Sequence, residues 1–156
     1  GLHDPNIMAL ARDSGCQVVA MHSMTIPVDP KQLLPTNRSA LDQLAQWAGQ
    51  SIEIWLGAGL DLNRIIIDPG IGFGKNWLQA LELLGNIGQL RESGLRLLVG
   101  HSRKSFMNSF SGMTFSGRDP ETLGISLALC EQGVDIIRVH DPVNHIRAYR
   151  AWAHVQ

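Results

Sequence analysis

The sequence is poor in cysteine, in aromatic residues and in net charge, and each shortage excludes a class of protein. Its 156 residues include 2 cysteines, 6% aromatic residues and 17% charged residues, with a formal net charge of −1. Two distant cysteines form no metal-binding spacing, so we expect free thiols in a reducing cytoplasm. A near-neutral chain without a basic cluster is not expected to bind nucleic acid. No apolar run approaches the roughly 18 residues of a membrane span, so no membrane partner is expected either.

Hydrophobic residues make up 44% of the chain, enough for the core of one domain spanning residues 1–156. Helical spacing, N-caps and terminal glycines predict five helices, at 5–15, 36–55, 76–92, 119–133 and 142–153. Apolar runs predict four strands, at 16–21, 65–67, 95–99 and 134–139, and two long loops, at 25–36 and 109–118. This alternation predicts an α/β fold of parallel β/α units. Half of a (β/α)8 barrel and a small doubly wound sheet are both compatible with it.

The stretch NRIIIDPGIGFGK, residues 63–75, contains the strongest local signal. Three consecutive isoleucines predict a strand buried on both faces. The strand stops at Asp68 and is followed by glycines at alternate positions. Ligands of parallel α/β folds bind at such carboxyl ends, although Asp-Pro and glycine also occur where a strand merely turns. The glycine spacing matches neither nucleotide-binding pattern, so the stretch alone leaves a binding site and a turn open.

Arg103 and Lys104 follow the third predicted strand, at the expected start of a short helix. The amino end of a helix is already partly positive, so cations there are unfavourable unless an anion neutralises them. We therefore predict an anion site, with a solvated surface turn as the alternative.

Arg138 lies within the apolar strand predicted at 134–139, where an arginine needs a partner. His140 is two residues further along and points to the same face. An anion on that face and a structural ion pair of Arg138 with Asp68 or Glu121 are both compatible with the pattern. His22, after the first strand, is equally compatible with a site and with a core histidine.

Three motifs in order resemble one known family. They are DPGIGFGK at 68–75, LVGHSRKS at 98–105 and IRVHD at 137–141, preceded by Met21 and His22. Together they resemble the carboxyl-terminal half of dihydropteroate synthase, over essentially all 156 residues. The resemblance implies half of a (β/α)8 (TIM) barrel. It also implies an enzyme, a sulfonamide target, that joins 6-hydroxymethyl-7,8-dihydropterin pyrophosphate to p-aminobenzoate and releases 7,8-dihydropteroate and pyrophosphate.

The resemblance also implies which side chains bind the two organic substrates. Asp68 would accept hydrogen bonds from the pterin, an assignment that suits an ionised carboxylate facing two adjacent N–H donors. Met21 would pack on the pterin face, and Lys104 would contact the ring. The stem of Lys104 would line the p-aminobenzoate site with Phe73, and Ser102 would bind the carboxylate of that substrate.

The leaving pyrophosphate would be bound by Arg138 and His140, and Gly100 completes the expected substrate-binding set. The residues expected to act in catalysis are Lys104, Arg138 and His140. Mg²⁺ is expected to accompany the pyrophosphate. Its protein ligand would lie in the amino-terminal half of the family, so no metal ligand is predicted in this chain.

Two departures from the family pattern qualify these expectations. Ser23 separates His22 from Met24, where the family often has Met-His-Met. The amino-terminal half, with its mobile loops over the site, is absent, so we expect a fragment that is inactive alone and whose open strand edges favour homo-oligomers. A methyltetrahydrofolate methyltransferase-type domain and a non-catalytic pterin-binding fragment are the alternatives.

Overall fold

The computed structural model describes residues 2–155, and within that range helices alternate with strands. The helices are α1 (Pro5–Ser14), α2 (Ala40–Gly57), α3 (Trp77–Asn86), α4 (Asp119–Glu131) and α5 (Pro142–Ala153). The strands are β1 (Val18–Met21), β2 (Ile65–Asp68), β3 (Arg96–Val99) and β4 (Ile136–Ile137). Over the same residues, no helix is both long enough and apolar enough to cross a lipid bilayer.

The four strands form one parallel sheet in the order β1-β2-β3-β4. The register places Met21 of β1 opposite Asp68 of β2, and Leu98 of β3 opposite Ile136 of β4. Both strand type and connectivity confirm the predicted parallel β/α units. β1 and β4 each have one neighbour among the described residues, so both are edge strands.

The two faces of the sheet have different surroundings. Ile65 and Ile67 of β2 belong to the main hydrophobic core, together with Trp55 of α2 and Leu83 of α3. Ile66 points the other way, because successive side chains of a strand alternate between faces. Asp68 is two residues after Ile66 and shares that inner face. The helices therefore cover the outer face, and the predicted binding residues lie on the inner one.

Helix α2 begins later than the 36–55 prediction, which took Thr36 or Asn37 as its cap. The observed N-cap is Ser39, whose Oγ accepts a hydrogen bond from Asp42 N at 3.2 Å. The preceding segment is held by α3 instead, since Gln79 Nε2 donates to Leu34 O at 2.8 Å. That tertiary hydrogen bond is invisible in the local sequence.

Two other helix ends also differ from prediction. The stretch predicted as one helix at 76–92 is α-helical only to Asn86 and continues as a 3₁₀ helix over Ile87–Ser93, before Gly94. The residues Asp119-Pro120, like Asp4-Pro5 before α1, predict an N-cap at the aspartate, but the N-cap of α4 is Arg118, without a side-chain hydrogen bond. The Asp119 carboxylate binds Arg103 instead.

The strand predicted at 134–139 as buried is the largest disagreement. Pairing is limited to Ile136–Ile137, which are half-buried, and the Arg138 side chain is 56% exposed. β4 lies at the edge of the described sheet, so no described strand beyond it shields the Arg138 side chain. β1 and β3 also begin slightly later than predicted, at Val18 and Arg96.

The predicted loop at 109–118 contains a 3₁₀ turn, Phe115–Gly117, and ends at a buried arginine. Arg118 donates to the carbonyls of Met113 at 3.2 Å and Arg103 at 3.1 Å. This side chain ties the loop to the segment that follows β3.

Candidate functional site

The carboxylate of Asp68 lies at the carboxyl end of β2 and is 1% exposed. Its Oδ1 accepts a hydrogen bond from Gly70 N at 2.8 Å. Its Oδ2 accepts one from Arg138 Nη2 at 3.2 Å. A buried carboxylate is stable only when its oxygens are hydrogen-bonded, and these two donors satisfy that requirement.

The ion pair between Asp68 and Arg138 is one of the two alternatives left open by the sequence. It joins β2 to β4 across the inner face. Gly100, at the end of β3 between them, leaves room for the guanidinium, since a Cβ there would lie 2.6 Å from Arg138 Nη2. The predicted residues Asp68, Gly100 and Arg138 thus form one contiguous group.

Lys104 and Phe73 were predicted to line the same place, and the structure brings them together. The Lys104 Nζ lies 4.6 Å from the centroid of the Phe73 ring, a cation–π distance, and donates to the carbonyl of Ile71. Burial lowers the pKa of the Lys104 ammonium to about 8, against the opposing effect of Asp68.

A small cavity of about 150 Å³ lies beside this group. Its lining residues are Gly100, Ser102, Lys104, Arg138, Val139 and His140. Ser102 Oγ and His140 Nδ1 are 2.8 Å apart, and His140 N donates to Ser102 Oγ at 3.2 Å. The cavity therefore combines three nitrogen-bearing side chains with one hydroxyl, a set suited to an anion.

Arg103 does not belong to this cavity, and the anion predicted to neutralise it is not needed. Its guanidinium donates to both carboxylate oxygens of Asp119, at 2.7 and 2.8 Å. This pair raises the pKa of Arg103 and lowers that of Asp119. The prediction was wrong for Arg103 because its partner lies 16 residues away, beyond the reach of local pattern.

Met21 is the neighbour of Asp68 across the β1–β2 ladder. Its side chain is 37% exposed and lines an open groove along β1 rather than the cavity beside Arg138. The departure at Ser23 forms a local turn, in which Ser23 Oγ donates to Thr25 O at 2.8 Å. Met24, within this turn, packs against the core.

A protein-family model described as a pterin-binding enzyme matches residues 1–140, nearly the whole chain. This chain belongs to the pterin-binding enzyme family. Dihydropteroate synthase of Escherichia coli is 30% identical over 149 residues, which are 96% of this chain and 52% of that protein. The folate synthesis bifunctional protein of Chlamydia caviae is 41% identical over 132 residues, 85% of this chain and 30% of that protein.

Solved structures of pterin-binding enzymes have the same fold. Dihydropteroate synthase from Anaplasma phagocytophilum, with bound 6-hydroxymethylpterin-monophosphate, aligns with a TM-score of 0.90 and 31% identity over 99% of this chain and 61% of that chain. The Xanthomonas albilineans enzyme with 4-aminobenzoic acid aligns with a TM-score of 0.88 and 28% identity, over 99% and 55% respectively. The resemblance and the half-barrel fold are thus confirmed, and this chain spans about half the length of these synthases.

A buried lysine and histidine beneath the glycine loop were not predicted as a pair in this pterin-binding fold. Lys75 Nζ lies 2.8 Å from His22 Nδ1 and donates to Phe73 O at 3.0 Å. Burial lowers the pKa of Lys75 to about 7, and burial together with Lys75 lowers that of His22 to about 4. His22 is also buried and packs edge-on against Trp47, which favours its interpretation as a core histidine. The one sequence signal for this pair was the position of Lys75, directly after a glycine-rich loop.

Replacing Lys75 with methionine should flatten the dependence of folding stability on pH. Between pH 7 and the ordinary lysine pKa of 10.5, the unfolded chain holds a proton at Lys75 that the folded chain lacks. Unfolding is therefore favoured as pH falls through this window, and the free energy of unfolding rises with pH by up to about 1.4 kcal/mol per unit. Methionine keeps the aliphatic stem but removes this contribution. Urea unfolding at several pH values in that window measures the slope.

Lys31→Met is the matched control, since Lys31 is exposed and lies outside the site. It should leave the slope of the parent chain unchanged. Equal slopes in the parent chain and Lys75→Met would contradict the burial of Lys75 in a neutral form.

The described residues do not fit a protein-held Mg²⁺. Magnesium prefers oxygen ligands, whereas the cavity presents nitrogen donors, and Asp68 is already bonded to Gly70 and Arg138. Across residues 2–155, no group of three or more acidic, histidine or cysteine side chains is arranged to bind a metal.

Proposed function

We propose that this chain provides the pterin- and pyrophosphate-binding part of a dihydropteroate synthase of folate biosynthesis. The main support is the buried carboxylate of Asp68, which shares the inner face of the sheet with Arg138 and lies next to an anion-compatible cavity. Relatives named for this activity and for folate synthesis support the same assignment. Both cysteines are free, in keeping with the cytoplasmic location that we propose.

Recognition of the pterin would depend on Asp68. The aminopyrimidinone edge of a pterin offers two adjacent N–H donors, and an ionised carboxylate accepts both in a bidentate arrangement. Met21, across the ladder, is placed at the β1 side of this carboxylate. Phe73 and the stem of Lys104 would form the apolar wall against which the arylamine lies.

The cavity lined by Ser102, Lys104, Arg138 and His140, here called the anion cavity, would bind the leaving pyrophosphate. In the proposed reaction, the bond between the pterin methylene carbon and the pyrophosphate oxygen breaks, and both electrons leave with pyrophosphate. The nitrogen of p-aminobenzoate forms the new bond to that carbon and loses a proton. Arg138, His140 and Lys104 would stabilise the departing charge, while Ser102, hydrogen-bonded to His140, holds the imidazole in place.

A methyltetrahydrofolate methyltransferase-type reaction is the alternative within the same fold. Its methyl donor carries no pyrophosphate, so it would leave the cavity between Ser102 and Arg138 without a purpose. Titration with methyltetrahydrofolate and with pyrophosphate separates the two: the synthase assignment requires pyrophosphate binding.

The direct test combines ligand binding with turnover. We expect the 156-residue chain to bind 6-hydroxymethylpterin in calorimetric titration. We expect little formation of dihydropteroate from the pterin pyrophosphate and p-aminobenzoate, because the chain covers about half of its synthase relatives. A folded chain that fails to bind pterin, or fails to bind pyrophosphate, would overturn the proposed function, and full turnover would contradict the expected inactivity.

Association of the chain with itself is expected from its open edges. Val19 of β1 is 45% exposed, and the groove beside it has a volume of about 440 Å³. Unpaired apolar edges favour pairing with another chain, so sedimentation at micromolar concentration should show dimers or larger species. Val19→Lys should shift the population toward monomer, whereas Val155→Lys, at an 81% exposed position away from the sheet, should not. A monomeric parent chain would contradict this prediction.

A further inference from the structure

The carboxylate of Asp68, which the proposed function assigns to pterin binding, is closed to ligands in the free chain. Asp68 is 1% exposed, and both of its oxygens already accept hydrogen bonds. A ligand with two N–H donors must reach both oxygens, so a group that covers the carboxylate has to move first. The donor to Oδ1 is the backbone of Gly70, which is fixed within the loop.

Arg138 is the group that can move. Its side chain is 56% exposed although Nη2 reaches the buried Oδ2 of Asp68. It follows an edge strand in which only two residues are paired, and no other side-chain partner of its guanidinium is found among residues 2–155. When this ion pair breaks, the exposed guanidinium regains water, whereas the buried carboxylate needs new donors, which the two N–H groups of a pterin supply.

The same guanidinium also lines the anion cavity, with Ser102, Lys104 and His140. Gly100, at the end of β3, has no side chain next to the guanidinium of Arg138. Arg138 can therefore bind Asp68 or face the cavity without a clash at this position. A polyanion is a stronger partner for an arginine than one carboxylate, since it offers more charge and more acceptor oxygens.

We propose that Arg138 is a gate shared by two ligand sites. In the free chain it covers Asp68, and an anion in the cavity draws it away and opens the carboxylate to a pterin. This deepens the proposed function and rests on it. The consequence is positive coupling between two separate ligands, pterin and pyrophosphate, before any chemistry occurs. Such coupling is reciprocal, because each ligand must change the affinity of the other by the same factor.

The experiment titrates 6-hydroxymethylpterin into the chain with and without saturating pyrophosphate, and then reverses the order. We expect each ligand to raise the affinity of the other about tenfold, within the usual range of coupling between sites. Unequal factors in the two orders would show that the ligands bind elsewhere as well. Because the two ligands are not covalently joined, a tether cannot produce the effect.

Arg138→Gln separates a gate from a direct pterin contact. Without pyrophosphate, this variant should bind the pterin at least as tightly as the parent chain, since nothing then covers Asp68, and its coupling factor should fall to about one. Weaker pterin binding in the variant would overturn the gate. Arg147→Gln, at an exposed position in α5, should keep the coupling of the parent chain.

The outcomes for the gate and for the proposed function are distinct. A parent chain that binds pterin with a coupling factor of one would contradict the gate and leave the synthase assignment in place. A folded parent chain that binds no pterin under either condition would contradict the assignment itself.

Discussion

Asp68→Asn should reduce the affinity for 6-hydroxymethylpterin by on the order of 100-fold, with little change in fold stability. Asparagine replaces one acceptor oxygen with an NH₂ group. A hydrogen-bond donor of the protein then faces an N–H donor of the pterin, and no hydrogen bond forms between them. The loss of a charge-assisted hydrogen bond, about 1.5–3 kcal/mol, corresponds to roughly 10- to 150-fold in affinity. Calorimetric titration of the variant and the parent chain measures the difference.

The fold should tolerate this substitution for reasons given by the contacts of Asp68. The remaining amide oxygen can still accept the hydrogen bond from Gly70 N, which is 2.8 Å from Oδ1 in the parent chain. Arg138 loses its partner but is 56% exposed and can turn to water. Asp13→Asn, an exposed carboxylate on α1, is the control for charge alone and should not change pterin affinity. Unchanged affinity in Asp68→Asn would remove Asp68 from the site.

The features that the sequence predicts well are those determined by neighbouring residues. The triple isoleucine, the aspartate at its end and the alternating glycines all lie within 63–75, and the structure places a buried strand and a tight loop there. Proline at the first turns of α1 and α5 likewise marks both helix starts correctly. For such elements the pattern and the physical cause lie in the same few residues.

The features that the sequence leaves open depend on partners far along the chain. Arg138 finds Asp68 across 70 residues, and Lys75 finds His22 across 53. The apolar run at 134–139 predicts a buried strand, but burial also requires a further strand beside β4, which the described chain lacks. Sequence reasoning therefore names candidate site residues, whereas the pairing among them requires the fold.

Gly70→Ala should have the largest effect on stability, a loss of at least about 3 kcal/mol in the free energy of unfolding. Gly70 has a φ of 65°, which costs a residue with a Cβ about 1–2 kcal/mol. A Cβ there would also lie 1.9 Å from the carbonyl oxygen of His22. That backbone is fixed by the hydrogen bond from His22 N to Asp68 O at 2.9 Å, so it cannot withdraw without breaking the end of the β1–β2 ladder.

Gly94→Ala is the matched control, because it separates the cost of the backbone angle from the cost of the contact. Gly94 has a φ of 76°, but no atom lies within 4 Å of a Cβ built there. The control should therefore lose only about 1–2 kcal/mol, and the excess loss in Gly70→Ala measures how closely the loop packs against β1. Urea unfolding of both variants gives the two values. Equal losses would show that the loop yields to the added methyl group and does not hold Asp68 and His22 in a fixed arrangement.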